Sequence, residues 1–307
     1  MGARSRFAGL APNVQGAFWM LLAAFAFVAM NSLVKYLGPG YPAPLQNFYR
    51  QAAGFAVVLP FILRAPRAVL HSDRKLLLLG RAACGTAAMI LQFYSYQHLP
   101  MAEANGLSFT RPLWIVPLAA FVLHERVGSL RVAAVAIGFG GVLVMLQPWS
   151  EHAHFGLAHG AALLSSLLLA LSITGTKSLS STHSTLTLLA WAAILGVVFT
   201  LPAAVLTWRW PSPTDFALLT AMGVFGIVNQ GFFVKAMSVG DAAAMAPLDY
   251  TRLILSAGAG YLLFNETPSA MTWAGAGVIA GSTLYITWRE QHLARRARTA
   301  AALGDGA

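Results

Sequence analysis

Two arginines that interrupt strongly apolar stretches, Arg111 and Arg252, are the residues best placed to act on a solute. Each closes a repeated pentapeptide, Leu107-Ser108-Phe109-Thr110-Arg111 and Leu248-Asp249-Tyr250-Thr251-Arg252. A glutamate follows fourteen residues later in both copies, Glu125 and Glu266. A guanidinium placed in hydrocarbon costs roughly 2.5–3.5 kcal/mol on insertion scales, so each needs something that offsets the cost. Asp249 can do so for Arg252, since residues three apart share a helix face. Arg111 has no acid at the matching spacings, and Glu103 on the same segment is two turns away. A carbonyl, another helix or an anionic solute must serve instead. A structural tie and a solute contact both stand as readings for the two arginines.

Other polar residues sit inside apolar runs. Asn31 and Lys35 share one helical face by their i, i+4 spacing; Lys35 either snorkels to the interface or lines a water-filled path. Gln46, Asn47, Tyr49, Arg50 and Gln51 form a dense patch that lipid would penalise, so it should face the interior. Gln92 and Tyr94 lie deep enough to face the same interior, whereas Tyr96 and His98 fit an interfacial aromatic belt. Trp114 and Trp19 could pack an apolar group of the solute. With Asn31, Lys35, Gln46, Asn47, Arg50, Gln92, Tyr94, Arg111, Trp114 and Arg252 as candidates and Asp249 as the one deep acid, the lining is cationic and rich in amides. That suits a small molecule bearing a carboxylate or phosphate. Glu125 and Glu266 read as caps or loop ion pairs.

Catalysis is not expected. No His-Glu-x-x-His run and no Gly-x-Ser-x-Gly elbow occurs. His152, His154 and His159 are loosely spaced beside Glu151, and the single Cys84 excludes an internal disulfide. No metal centre or cofactor is expected either. The glycine strings near residues 138 and 275 have no strand before them and read as helix-packing positions.

The elements that position these residues are read from composition and period. Of 307 residues 57% are hydrophobic and only 10% charged, with mean hydropathy +0.65, too little charge to cover a water-soluble globule. About 20 apolar residues cross a bilayer. On that ruler the first half gives spans Val14–Leu37, Leu45–Leu63, Leu76–Tyr96, Ala102–Leu123 and Leu130–Leu146. The second gives Gly156–Leu179, Thr185–Trp208, Phe216–Ser238, Ala242–Phe264 and Met271–Trp288. The run behind Arg4 and Arg6 reads as an uncleaved first span rather than a signal peptide.

Matched positions of the two copies are offset by 141 residues, as in Ala102/Ala243, Ala133/Ala274 and Gly140/Gly281, so the chain is a doubled unit. Residues 1–149 form one five-helix repeat, 150–290 the second, and 291–307 a frayed basic tail. Five spans is an odd number, and the second copy must therefore enter the membrane upside down. The expected fold is an all-α integral membrane protein of ten helices in a 5+5 inverted-topology repeat. Such repeats place solute sites near the bilayer midplane at the repeat interface. Gly156/Gly160 and Gly277/Gly281 have the spacing that permits close helix contact. Because the halves close one bundle, a monomer in a lipid bilayer is expected.

These features resemble the drug/metabolite transporter superfamily, as two tandem EamA-type halves. The resemblance rests on the five-plus-five duplication, on a fourth span ending in glutamate (Phe121 to Arg126 and Tyr261 to Thr267), and on a glycine-rich fifth span (Ile137 to Gly141 and Gly275 to Gly281). It covers Val14 to Trp288, and His124 stands where a glycine is commoner. The resemblance implies an inner-membrane carrier that exports amino acids, aromatic ones above all, or else moves other organic anions or nucleotide and sugar phosphates. Small multidrug antiporters of related fold use a carboxylate in the first helix, and Val14 to Leu37 contains none.

Charge distribution sets the orientation. With the N-terminus inside, fourteen Lys and Arg fall in internal segments and only Lys35 and Arg209 in external ones. The net charge of +10 is thus topology, not a signal for nucleic acid. Both termini are predicted to be cytoplasmic. In a Cys84→Ser background, Gly306→Cys should react with a membrane-impermeant maleimide only after cells are permeabilised, and Pro211→Cys in intact cells; the reverse pattern would overturn the orientation.

Overall fold

The computed structural model describes residues 12–304 apart from residues 39, 65, 123–128, 150–155, 181 and 241. Glu125, Glu151, His152 and His154 lie outside the described residues, as do the side chains of Lys177 and of the basic tail. Every regular element among the described residues is an α-helix. In the first repeat these are α1 (Pro12–Leu37), α2 (Ala43–Arg64), α3 (Pro66–Leu70), α4 (Lys75–His98), α5 (Met101–Ser108), α6 (Arg111–Val122) and α7 (Ser129–Leu146). In the second they are α8 (Leu157–Ser180), α9 (Thr185–Leu206), α10 (Pro213–Val239), α11 (Ala242–Asp249), α12 (Thr251–Phe264) and α13 (Ala270–Gly304).

Helices α1, α4, α8, α9 and α10 are each long and apolar enough to cross a membrane alone. Their surfaces are arranged for lipid. On α1 the small Ala23, Ala24 and Ala26 are buried while Phe18, Leu21 and Phe25 point outward. A water-soluble bundle would bury the large side chains and expose the polar ones.

Two expected spans are interrupted. The fourth divides into α5 and α6, and the ninth into α11 and α12. At the first junction the backbone tightens, with Phe109 N–H donating to Gly106 O and Thr110 N–H to Leu107 O. Pro112 has no N–H to continue the ladder and crowds the carbonyl before it. Thr110 Oγ1 donates to Leu107 O at 2.7 Å, and its repeat counterpart Thr251 Oγ1 donates to Leu248 O at 2.6 Å. These hydroxyl bonds compete with the helical ladder at the same place in both copies. Pro247 sits beside the second break. The basic tail, expected to fray, instead continues α13 to Gly304, since Ala, Arg, Gln and Leu are strong helix formers and no glycine or proline intervenes.

Packing follows a pseudo-two-fold. α1 lies along α10 as its counterpart α8 lies along α4, while α2 meets its own counterpart α9 and α7 meets α13. The axis passes between Phe109 and Tyr250, equivalent residues whose rings stack at 4.5 Å. The copies are antiparallel: the start of α5, at Met101 N–H, bonds Glu266 Oε2 just past the end of the equivalent span. Likewise Ser95 Oγ, near the end of α4, donates to Ala158 O at the start of α8. The fold is therefore a ten-span inverted repeat.

The closest helix approach departs from the expected motif. Added β-carbons at Gly156, Gly160, Gly277 and Gly281 would meet open space. At Gly141 one would come within 2.9 Å of Gly275 O, and at Gly275 within 2.5 Å of Gly141 O. Gly275→Ala should thus push α7 from α13 and destabilise the protein by about 1–3 kcal/mol. Gly277→Ala should be neutral or slightly stabilising. Thermal unfolding in detergent distinguishes them, and equal melting temperatures would contradict the packing.

Candidate functional site

At the two breaks, six side chains of the repeated pentapeptides converge on a cavity of about 240 Å³ between the halves. Arg111, Asp249, Tyr250 and Arg252 line it with Phe109 and Ser108, and Met20, Phe233, Met237 and Met245 continue the wall. Arg252 is fully engaged. Its Nη2 pairs with Asp249 Oδ2, as the i, i+3 spacing predicted, and its Cζ lies 4.6 Å from the Phe27 ring centroid and 5.3 Å from that of Phe109. Two aromatic faces and a carboxylate together offset the cost of its charge.

Arg111 differs. Among the described residues its guanidinium makes no hydrogen bond or ion pair, and its Nε is buried without a partner. It stands between the central cavity and a small cleft lined by Gln92, Ser95, Ser165 and Ser166. The Tyr96 hydroxyl is also buried and unpartnered. Tyr96 was expected in an interfacial belt, but it is fully buried, with its ring 6.4 Å from that of Phe27. The end of α4 is covered by neighbouring segments, and a depth ruler applied to one helix cannot see such a cover. Tyr96 follows Gln92 by four residues, so the shared helix face was the available signal. Phe109 and Tyr250 were also passed over, although both lie inside the repeated motif.

The ends of the bundle are unlike. α5 packs against α12 at the end where α1 finishes, whereas the equivalent packing of α6 against α11 is not found among the described residues. The first end is tied by polar contacts. Lys35 Nζ lies 2.5 Å from Glu266 Oε1 and donates to Leu99 O, and Glu266 Oε2 accepts from Met101 N–H at 2.8 Å. Asn265 adopts the left-handed conformation (φ 56°) that turns the chain so that Glu266 returns over Gly260. Glu103 Oε1 meets His159 Nε2 at 2.9 Å beside them. Tyr41, in the connection from α1 to α2, donates to Asp215 Oδ2 at 2.9 Å; burial and that carboxylate push its phenol up from the usual range.

Other expected lining residues fall elsewhere. Lys35 neither snorkels nor lines the cavity: it is 14% exposed and holds the pair with Glu266. Asn31 donates to Phe27 O, and Gln46 clamps the α1–α2 connection through Val34 O and Tyr41 O. Asn47 is fully buried with both amide atoms unpartnered. Arg50 packs near Gly226 and Met30, between α2 and α10, and is not part of the cavity wall. Tyr94 stacks on His98 in a crevice at the closed end, and Trp114 packs on Phe139 and donates to Ser166 Oγ at 3.2 Å. Arg81, overlooked from sequence, donates to Thr176 Oγ1 at 2.5 Å and Leu188 O at 3.3 Å, tying α4 to α8 and α9. Among the described residues no group of histidine, cysteine and acid side chains could hold a metal ion.

Comparison with known proteins places this architecture. The EamA-like transporter family matches twice, over residues 14–147 and 156–288. A riboflavin transporter of Rhizobium johnstonii is 32% identical over 92% of this chain and 94% of its own length. An S-adenosylmethionine uptake transporter of Rickettsia prowazekii is 30% identical over 91% and 94%, and a pseudopaline exporter of Pseudomonas aeruginosa 27% identical over 89% and 95%. A crystal structure of 18% identity superposes with TM-score 0.60 over 91% of this chain and 99% of that chain, which supports the fold. With a doubled family match over nearly the whole chain and relatives of equal length, the protein belongs to the EamA-like transporter family, as a tandem pair of its repeats and a multi-pass membrane transporter.

Proposed function

We propose that the protein is a secondary carrier of a small organic solute bearing a carboxylate, working by alternating access, with neutral and above all aromatic amino acids as the solutes that complement the site best. The observation that carries this reading is the guanidinium of Arg111 on the wall of the inter-repeat cavity, with its Nε buried and without a hydrogen-bond partner. A carboxylate there would supply the missing counter-charge, and the Tyr96 hydroxyl is a further donor without a partner. Asp249 can take an ammonium in exchange for part of its contact with Arg252. Phe109 and Tyr250 give an aromatic wall for the side chain.

Antiparallel repeats supply two near-equivalent conformations, and we read the present one as closed at the end of α1, where Lys35 pairs with Glu266 and α5 packs against α12, and open toward its beginning. With the termini cytoplasmic, as the charge bias predicts, the open end faces the cytoplasm of a bacterial inner-membrane protein. Solute would load from inside, in keeping with export. The halves complete the cavity within one chain, so a monomer suffices.

A planar solute without a carboxylate is the second reading. The riboflavin transporter relative and the stacked Phe109–Tyr250 pair favour it. In that case Arg111 would matter little.

Reconstitution in liposomes with radiolabelled amino acids, riboflavin, S-adenosylmethionine, organic acids and sugar phosphates tests the proposal. Aromatic amino acids should move, and Arg111→Ala should lower the flux roughly 10- to 100-fold, the value of one charged hydrogen-bonded contact. Arg111→Lys should retain more than Arg111→Ala but lose the bidentate geometry. Flux of phosphorylated compounds alone would refute the amino-acid assignment. Flux of riboflavin indifferent to Arg111→Ala would install the second reading.

A further inference from the structure

We infer that Lys35 and Glu266 form the latch that seals the closed end, and that they are positioning residues for the transport cycle rather than a stabilising surface pair. The inference rests on the alternating-access reading and adds the contact that must break for the opposite face to open. Four observations carry it.

The pair joins the two repeats. Lys35 ends α1 of the first half, and Glu266 follows α12 of the second. Both side chains are largely enclosed in this state, at 14% and 16% exposure, so the contact is more than a surface ion pair. Each charge also holds main chain of the α4–α5 junction, Lys35 through Leu99 O and Glu266 through Met101 N–H. The cluster therefore pins three segments with two side chains.

The location is that of a barrier. On its outer side lies a crevice of about 710 Å³ bordered by Leu99, Pro100, Thr267 and Pro268, which belong to the two connections that meet at the latch. On its inner side α5 packs against α12, and comparable packing of α6 against α11 is not found among the described residues. A membrane carrier must separate these two spaces in one state and join them in the other.

The chain is shaped to deliver the contact. The Glu266 Oε2 atom lies only 2.6 Å from where a β-carbon on Gly260 would be, and the left-handed Asn265 turns the carboxylate back over that glycine. Gly260→Ala would displace the carboxylate without altering any charge. The charge balance of the cluster also fits a switch: one cation and one anion cancel when joined, and each is hydrated by the outer crevice when parted.

Accessibility of the central cavity from each face tests the latch. In a Cys84→Ser background, Phe233→Cys places a thiol on the cavity wall, and a membrane-impermeant maleimide is applied to right-side-out or inside-out vesicles. The chain with an intact latch should label mainly from the face where α1 begins. Lys35→Glu or Glu266→Lys should raise labelling from the other face about tenfold, and Gly260→Ala should do so to a smaller extent. The double exchange Lys35→Glu/Glu266→Lys should return labelling to one face, a rescue that a merely damaged fold would not give. Single variants that elute as one sharp species yet keep one-sided labelling would overturn the latch, as would failure of the double exchange to restore it. Solute flux is measured on the same vesicles. Flux that persists and depends on Arg111 while the latch variants have no effect refutes the latch alone; absence of flux from the parent chain refutes the carrier reading.

Discussion

A guanidinium held between the two repeats, with no hydrogen-bond or ion-pair partner among the described residues, is the interaction around which this structure is arranged. Arg111 and Arg252 come from the same position of a duplicated unit, yet the chain has answered their charges in opposite ways. Asp249 neutralises Arg252, and two aromatic rings cover its face. The position equivalent to Asp249 in the first half is Ser108, whose hydroxyl donates to Asn105 O. One substitution between the copies thus leaves one charge answered and the other open. A site built from two related halves acquires direction in this way: it offers a fixed cation on one side and an ion pair that can rearrange on the other.

The fold supplies what that charge needs. Interrupting the fourth and ninth spans partway along brings both arginines to one cavity, and Phe109 packs against Tyr250 between the breaks. Small residues on α7 and α13 let these helices touch through backbone at Gly141 and Gly275, which braces the repeats beside the cavity. The inversion of the second copy has a mechanical consequence. In the proposed cycle a contact that closes one end gives way to its counterpart at the other, and a solute selects between the two states. Among the described residues α5 packs against α12, while comparable packing of α6 against α11 is not found.

Much of this was legible in the residues. The 141-residue offset gives the duplication, the odd number of spans gives the inversion, and the Asp249–Arg252 pair follows from helical spacing alone. What escaped was whatever depends on a partner far along the chain. Lys35 at a helix end has the pattern of a snorkelling lysine, and only the fold brings Glu266 to it. Tyr96 has the pattern of an interfacial ring, and only the fold buries it, with Phe27 of α1 beside it. Gly277 and Gly281 have the spacing of a contact face, but spacing does not say which face has a neighbour. The missing N–H of Pro112 and of Pro247 allows a kink, and at both breaks a threonine hydroxyl also occupies a helix carbonyl, that of Leu107 or Leu248. Within the proposed binding set, residues of the repeated pentapeptide were placed at the cavity, while those chosen for polarity alone, such as Gln46 and Arg50, lie in helix contacts instead.

The central claim is that one cavity is exposed to the two faces in turn, and solute counterflow measures this most directly. Liposomes carrying the protein are loaded with an unlabelled aromatic amino acid and given a trace of the labelled form outside. The account predicts that label accumulates transiently above its equilibrium level, because a single site returns occupied faster than empty. Label that enters at the same rate whether or not the lumen holds solute, without overshoot, would contradict it and describe a pore.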